Sequence, residues 1–311
     1  MISHTWGMVD QIRSGDPTPG ALDRRTELGR FLRTRRAALK PEDLGLPGFG
    51  RRRRVPGLRR EEVAQAAGVS VAYYTRLEQG NSDNVSAEVL KAIARALRLS
   101  DPEHNYMTQL AKPKPDENEG THPRPQRLRP ALQHLLDAID GVPAYVIGQR
   151  SDILGWNRLA AGLFGNWNEL PPDELNYARF TFLSPTARNL FVDWEDKAAT
   201  IVSLLRLFAS RCPDDPQLAA LIGELGVKSE DFRRMWATYE LRLKDPGPLR
   251  LNHPLVGELT LSYEVFSFRA DPDQTLITYH AEPGSASASA LRMLANWGTA
   301  ATTPTRSTVD G

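Results

Sequence analysis

Arginine side chains are concentrated between residues 51 and 60 of the sequence. A guanidinium group keeps its positive charge in proteins and donates paired hydrogen bonds to phosphate and to guanine. The cluster could therefore contact several phosphates of a nucleic acid, or the narrow minor groove of a duplex. The alternative is a solvated, charged loop. The members of the cluster are Arg51, Arg52, Arg53, Arg54, Arg59 and Arg60.

The stretch from Leu58 to Gly80 has the spacing of two short helices joined by a tight turn. Gly68 is expected to end the first helix in a left-handed conformation, and Ser70 to cap the second. In a helix-turn-helix, the first residues of the second helix face base edges in the major groove of DNA. The outward residues at these positions are Ser70, Val71, Ala72 and Tyr73, with Arg76 one turn later. Tyr73 could instead be a core aromatic, as we expect of Tyr74.

The two halves of the chain carry opposite charge. Residues 21–110 contain 17 Lys and Arg against 11 Asp and Glu, a net charge of +6. Residues 123–282 contain 17 against 21, a net charge of −4. A basic front half joined to an acidic back half predicts a polyanionic partner for the front half alone.

Residues suited to catalysis or metal binding form no recognisable motif in the sequence. The six histidines lack the pair spacing of a metal site, and Cys212 is the single cysteine. There is no Gly-x-Ser-x-Gly motif, and Gly45, Gly48 and Gly50 lack the Lys-Ser/Thr of a phosphate loop. We therefore expect no enzyme activity, no catalytic residue, no metal and no cofactor.

Cysteine use and hydropathy favour a cytoplasmic protein. One cysteine allows no internal disulfide. The N-terminal residues lack the layout of a signal peptide, and no run reaches the ~18 apolar residues of a membrane span. We expect no membrane partner.

Five helices are predicted before residue 112. Apolar spacing places them at residues 24–39, 59–67 and 71–79, after the cap Ser86, and at 101–111. Asp101 is the expected N-cap of the last helix, with Pro102 in its first position. Residues 1–20 are predicted to be a disordered arm, and residues 112–126, with four prolines among charged residues, a linker.

The rest of the chain predicts an α+β domain. A helix from about Pro130 precedes two short strands in AYVIGQRSDILGWN, and a helical middle leads to strands at 249–253, 258–268 and 275–281. Phe266 and Phe268 break the alternation of the second of these, which favours a bulge or a strand buried on both faces. A helix at 286–296 and a disordered tail at 298–311 follow. This order is typical of helices packed over an antiparallel sheet.

The stretch LRREEVAQAAGVSVAYYTRLEQG resembles the XRE-type helix-turn-helix family. Within that family, VPGLRREEVA and YYTRLEQG are similar to the MmyB-like regulators, as are VPAYVIGQRSDILGWNRLAAGLF, DWEDKAATIVSLLR and HPLVGELTLSYE. The resemblance covers residues 24–297 and implies a five-helix DNA-binding domain followed by a PAS-like ligand-binding domain. In one departure, Arg59 and Arg60 stand where XRE-type domains often carry a glutamine that touches DNA. Phosphate contacts would then replace base contacts there.

The resemblance also implies an apolar cavity between the sheet and the helices of the second domain. Apolar walls with a few polar groups are usual for small-molecule sites. The implied ligand is apolar or amphipathic, such as a fatty acid. The candidate lining residues are Trp156, Asn157, Phe164, Phe182, Arg188, Asn189, Trp194, Tyr239, His253 and Tyr263.

The sequence thus predicts a multi-domain protein. An all-α, lambda-repressor-like helix-turn-helix domain at 21–111 precedes an α+β, PAS-like sensor domain at 127–297. The predicted function is regulation of transcription on double-stranded operator DNA, controlled by an apolar effector. One short recognition helix reads few base pairs, so we expect a homodimer with half-sites ~34–36 Å apart. The alternative is a C-terminal domain that is a dimerisation or protein-partner module without a small-molecule ligand.

Overall fold

A computed structural model describes residues 23–45, 57–81, 85–111, 127–165, 167–239, 241–242 and 247–300. The predicted arm at 1–20, the linker at 112–126 and all but the first residues of the predicted tail lie outside this part of the chain. So do Arg51, Arg52, Arg53 and Arg54.

Within the described residues, five α-helices form the N-terminal domain, as the sequence predicts. The spacing of apolar residues and the caps account for their bounds: Ser70 Oγ accepts the Tyr73 N–H at 3.1 Å, and Ser86 Oγ accepts the Val89 N–H at 3.3 Å. The helices are α1 (Arg24–Ala38), α2 (Arg60–Ala67), α3 (Val71–Glu78), α4 (Ala87–Ala96) and α5 (Asp101–Ala111). A 3-10 turn, Pro41–Leu44, follows α1.

The start of α5 differs from the prediction by one residue. Asp101 already lies inside the helix, so its assignment as the N-cap was wrong. Ser100 precedes the helix, and its backbone N–H and hydroxyl both donate to Glu103 Oε2, at 2.8 and 2.9 Å. Serine followed three residues later by glutamate is the capping-box pattern, which satisfies a backbone donor ahead of the first turn.

The C-terminal domain contains eight helices among the residues described. The first four are α6 (Pro130–Ala138), α7 (Arg158–Phe164), α8 (Tyr177–Leu183) and α9 (Pro185–Leu190). The remaining ones are α10 (Trp194–Arg211), α11 (Pro216–Lys228), α12 (Glu230–Ala237) and α13 (Ala286–Ala300). Helices α8 and α9, which are only 7 and 6 residues long, were not predicted from the sequence.

In the described part of the chain, five strands form one antiparallel sheet in the order β2-β1-β5-β4-β3. The first two strands are therefore joined to the last three by the pairing of β1 with β5. The helical middle of the domain separates these two strands in the sequence. The strands are β1 (Ala144–Gly148), β2 (Ile153–Trp156), β3 (Leu249–His253), β4 (Gly257–Ser267) and β5 (Gln274–His280). Together with the helices, this confirms the predicted α+β fold.

The end of β4 is exposed, and the prediction made for it was wrong. The ladder between β4 and β5 runs without a register shift from Ser262 to Ser267, and Phe266 within it is 50% exposed. Strand β3 pairs only with the first half of β4, so within the described residues no strand covers the outer edge of its second half. The shift in register lies instead between β1 and β2, at Val146/Ile147.

Both faces of the sheet are covered near its centre. On one face, Ala144 and Val146 of β1 pack with Leu136 of α6. On the other face, Tyr145 and Ile147 belong to the larger core formed with the remaining helices. This double coverage explains why every residue of β1 is buried, and it brings aromatic side chains into the centre of the domain.

Candidate functional site

The turn between α2 and α3 fixes the direction in which α3 leaves the domain. Gly68 adopts a left-handed conformation with φ of 68°, which glycine accepts without the steric cost of a side chain. The Val69 N–H returns to Ala64 O at 3.0 Å and closes the end of α2. Tyr74 and Leu77, on the inner face of α3, are then 0% and 1% exposed.

The outer face of α3 gathers five of the residues singled out from the sequence. Ser70, Val71, Ala72 and Arg76 are exposed, and Tyr73 is half-buried. The Arg76 guanidinium lies over the Tyr73 ring, 5.8 Å from its centroid. The N-terminal turn of α3 and a guanidinium one turn later therefore share one open surface, which is the placement that a recognition helix requires.

Arg59 and Arg60 take different positions at the start of α2. Arg59 is the N-cap residue, and its backbone N–H donates to Glu62 Oε2 at 2.7 Å. Arg60 turns towards the domain and donates to the carboxylate of Glu78, a contact that raises the pKa of the Arg60 guanidinium. The structure thus engages Arg60 in an ion pair within the protein, while 43% of its side chain stays exposed.

Glu78 is a buried carboxylate that was not predicted from the sequence. Its side chain has no exposed surface and accepts hydrogen bonds from Arg36, at 2.7 Å, and from Arg60. Arg36 also donates to Leu58 O at 2.7 Å. One carboxylate at the end of α3 therefore holds α1 and α2, and Arg36 links it to the segment before α2. Because α3 carries the outer face described above, Glu78 fixes its orientation.

Helix α1 approaches α3 closely at a glycine. A Cβ added to Gly29 would lie 2.5 Å from Glu78 O, a separation that real Cβ atoms do not show. The backbones of α1 and α3 are therefore in direct contact. Any displacement of α1 must move α3 or break this packing.

The opposite side of α1 packs against the C-terminal domain through a buried ion pair. Arg206 of α10 is completely buried and donates to Glu27 of α1, which is 6% exposed. Tyr106 of α5 donates its hydroxyl to the same Glu27 oxygen. Burial raises the pKa of Tyr106 well above its usual range, with the nearby Glu27 charge as the next cause. Three helices from two domains therefore meet at one carboxylate.

Aromatic rings and backbone carbonyls complete the contact between the domains. The Arg206 guanidinium donates to Trp236 O and lies 4.4 and 4.6 Å from the centroids of the Trp236 and Tyr239 rings. Arg30 donates to the Tyr239 hydroxyl, and Arg24 Nε donates to Ser210 O at 3.0 Å. Tyr239 has a φ of 55°, an uncommon conformation for tyrosine. Of the ten ligand candidates, Tyr239 thus lies at the contact between the domains.

Four of the ligand candidates pack against buried aromatic rings in the core of the C-terminal domain. Phe164 stacks on Trp167, with ring centroids 5.8 Å apart, and Trp156 packs edge-on against Trp167 at 5.7 Å. Tyr263 lies 6.0 Å from Tyr279. Phe182 packs further out, against Trp194 and Phe232.

Arg188 and Asn189 are exposed, and the buried Trp194 lies beside Arg188. The Arg188 guanidinium sits over the Trp194 ring at 3.8 Å and pairs with Asp231 at 3.1 Å. Arg188 and Trp194 line an open cavity of about 430 Å³, and Asn189 is exposed beside them.

Asn157 and His253 hold the backbone in place. Asn157 Oδ1 accepts the N–H groups of Ala144 and Ala160, at 3.1 and 2.9 Å, and its amide donates to Val142 O. His253 Nε2 lies 3.0 Å from Gly162 O. Both side chains are thus engaged with the backbone.

Neither a metal site nor a membrane span is found within the described residues. No three His, Cys, Asp or Glu side chains there come close enough together to hold a metal ion. No helix in the same part of the chain combines the length and the apolar character needed to cross a bilayer.

Two family models match the chain. A model for a helix-turn-helix domain matches residues 27–107, the region of α1 to α5. A model for the MmyB-like transcription regulator ligand binding domain matches residues 128–294, which contain the whole five-stranded sheet. A search of curated proteins found no match.

Proposed function

The chain belongs to the MmyB-like transcription regulators, and on this basis we propose a sequence-specific regulator controlled by an apolar or amphipathic small molecule. The outer face of α3 reads operator DNA, and the C-terminal domain holds the effector. A change in the C-terminal domain reaches α3 through α1. The observation that supports this proposal most is the exposed N-terminal turn of a capped, firmly packed α3.

Base readout is assigned to the N-terminal turn of α3. Val71 and Ala72 offer apolar contact to a thymine methyl group, and Ser70 offers a hydroxyl. Arg76 reaches a guanine edge or a phosphate, with Tyr73 beside it supporting the guanidinium. A homodimer would present two such faces to half-sites about one helical turn apart.

We expect Arg76→Ala and Tyr73→Ala to relax discrimination at particular base pairs by about 1–3 kcal/mol each. An operator is first selected from a random duplex pool, and affinities for it and its single-base variants are then measured by fluorescence anisotropy. Asn105→Ala, at an exposed neutral residue of α5, is the matched control. An equal loss of affinity for every sequence would place Arg76 on the phosphate backbone.

The arginine run is assigned to the phosphate backbone, as a proposal for residues outside the described part. Replacing Arg51, Arg52, Arg53 and Arg54 by Ala should flatten the dependence of log affinity on log salt, by roughly 0.9 per lost phosphate contact. Sequence preference should survive, because base readout rests on α3. An unchanged slope would remove these arginines from the interface.

The effector is tested by native mass spectrometry of the freshly purified full chain. A discrete added mass that disappears on denaturation supports a bound small molecule, and the extracted compound identifies its class. A ligand-free dimer mass, with no compound in the extract, favours a dimerisation or partner-binding role for the C-terminal domain.

A further inference from the structure

A lysine side chain lies among aromatic rings on the wall of another cavity in the C-terminal domain. Lys197 Nζ is 5.0 Å from the centroid of the Tyr177 ring, 5.7 Å from Phe191 and 6.0 Å from Tyr263. The same side chain is half-buried and lines a cavity of about 250 Å³ between the first turns of α10 and the strands β3 and β4. A small molecule that enters this cavity can therefore reach the amine.

The Lys197 amine forms neither a hydrogen bond nor an ion pair within the part of the chain that the structure describes. Burial lowers its pKa to about 8, since the charged form is poorly solvated among the rings, and contact with the ring faces offsets only part of this loss. Compared with the usual lysine pKa of about 10.4, this value makes the neutral fraction near pH 7 on the order of 100-fold larger. Desolvation of this kind activates a lysine for attack on a carbonyl group.

We propose that Lys197 is a covalent modification site, at which the neutral amine condenses with a small aromatic aldehyde to form an imine. The nitrogen lone pair attacks the aldehyde carbon, and a proton passes from the nitrogen to the former carbonyl oxygen. The carbinolamine formed in this way loses one molecule of water and leaves a C=N bond, so that no oxidant or reductant takes part. Lys197 was not among the candidates taken from the sequence, where a lysine in the first turns of an amphipathic helix has the pattern of a solvated residue.

The walls around Lys197 favour a flat, uncharged reactant. Tyr263 of β4 and Leu249 of β3 line the cavity, and the ring of Tyr177 lies behind the nitrogen. A planar ring bonded to Nζ would therefore pack against other rings and one aliphatic side chain. The volume is below the ~300 Å³ at which drug-sized sites begin, so a single ring fits the cavity better than a long chain does.

This inference deepens the proposed function, and it rests on that function for its regulatory meaning alone. Lys197 lies on α10, and Arg206 further along the same helix forms the buried ion pair with Glu27 of α1. A molecule bonded to Lys197 would thus be attached to the helix that contacts the N-terminal domain. The reaction at Lys197 and its effect on DNA binding are tested by separate measurements.

The first experiment traps the imine in the full-length protein. Benzaldehyde is added at neutral pH with sodium cyanoborohydride, which reduces an imine to a stable secondary amine, and peptide mass spectrometry locates the benzyl groups. Lys197 should be labelled at least about 10-fold faster than Lys91 and Lys228, because its larger neutral fraction outweighs its lower basicity. Lys91 and Lys228 are the internal controls, since both are exposed on other helices. Labelling of Lys197 at the same rate or more slowly would overturn the proposal.

Unfolding separates the effect of the cavity from that of the neighbouring residues in the sequence. The same labelling is repeated on the full chain in concentrated urea, where Lys197 is no longer enclosed by Tyr177, Phe191 and Tyr263. The difference in rate between Lys197 and Lys91 should then disappear. A preference for Lys197 that persists in urea would arise from the local sequence and would contradict an activation by the folded cavity.

The affinity for the selected operator tests the regulatory meaning. Labelling with benzaldehyde and cyanoborohydride should change the dissociation constant, measured by fluorescence anisotropy, by about 5-fold or more, as is typical of coupled sites. Lys197→Arg, treated in the same way, should show no such change, because a guanidinium stays charged and does not form the imine. This variant also controls for labelling of surface lysines. Labelling of Lys197 that leaves operator affinity unchanged would overturn its role in regulation, whereas native mass spectrometry tests the proposed effector independently.

Discussion

Arg206→Met is expected to weaken the attachment of the N-terminal helices to α10 by about 3–5 kcal/mol. The substitution keeps an unbranched side chain with an apolar stem but removes the guanidinium that Glu27 faces. Glu27 then remains buried with the Tyr106 hydroxyl as its described partner, and an uncompensated buried charge carries most of the cost. In scanning calorimetry, the N-terminal domain should unfold at a lower temperature, in a transition separate from that of the C-terminal domain.

The control for Arg206→Met is the same substitution at a surface ion pair. Arg188 pairs with Asp231 on the C-terminal domain, where 52% of its side chain is exposed, and such pairs contribute about 0–1 kcal/mol. The double variant Glu27→Gln with Arg206→Met removes both charges and should be more stable than the sum of the single losses predicts. Purely additive losses would show that the two side chains do not interact across the interface.

Glu78→Gln is the second large effect that we expect, at about 3 kcal/mol or more of the stability of the N-terminal domain. Two guanidinium groups, those of Arg36 and Arg60, would lose their common carboxylate. Operator affinity should fall further than stability alone predicts, since α3 is no longer held against α1 and α2. Chemical denaturation and anisotropy on the same samples measure the two effects.

Glu61→Gln is the control for Glu78→Gln, because Glu61 is an exposed acid on α2 and surface substitutions usually change stability by about 0.5 kcal/mol or less. If Glu78→Gln leaves stability unchanged and affects only the salt dependence of DNA binding, the role of Glu78 is to hold Arg60 for a phosphate.

The sequence predicts the helix-turn-helix because its determinants are local. Gly68 and Ser70 act within one turn of their own positions, and the spacing of Val63, Tyr74 and Leu77 requires only two short helices. The comparison of residues 128–294 with a known family likewise agrees with the resemblance drawn from the sequence. Determinants that act over a few residues can be recognised in the sequence without knowledge of contacts between distant residues.

The buried charges could not be predicted because their partners are distant in sequence. Glu78 meets Arg36, 42 residues away, and Arg206 meets Glu27 across 179 residues. A charged residue in a helix is usually solvated, so pattern alone assigns all four to the surface. Helices α8 and α9 were missed for another reason: they are short, and Pro185 begins the second directly after the first ends.

The position of α1 between α3 and α10 has a consequence for protein engineering. A chimaera that joins this C-terminal domain to a foreign DNA-binding domain within residues 112–126 would lack both Glu27 and Gly29. We expect that an effector bound to the C-terminal domain would not change DNA binding by this chimaera. Grafting α1 together with Tyr106 should transfer the change in DNA binding that the effector causes. Lengthening residues 112–126 in the native chain should leave this response unchanged. We therefore expect the unit that carries the response to include α1 as well as the residues matched by the ligand-binding family model.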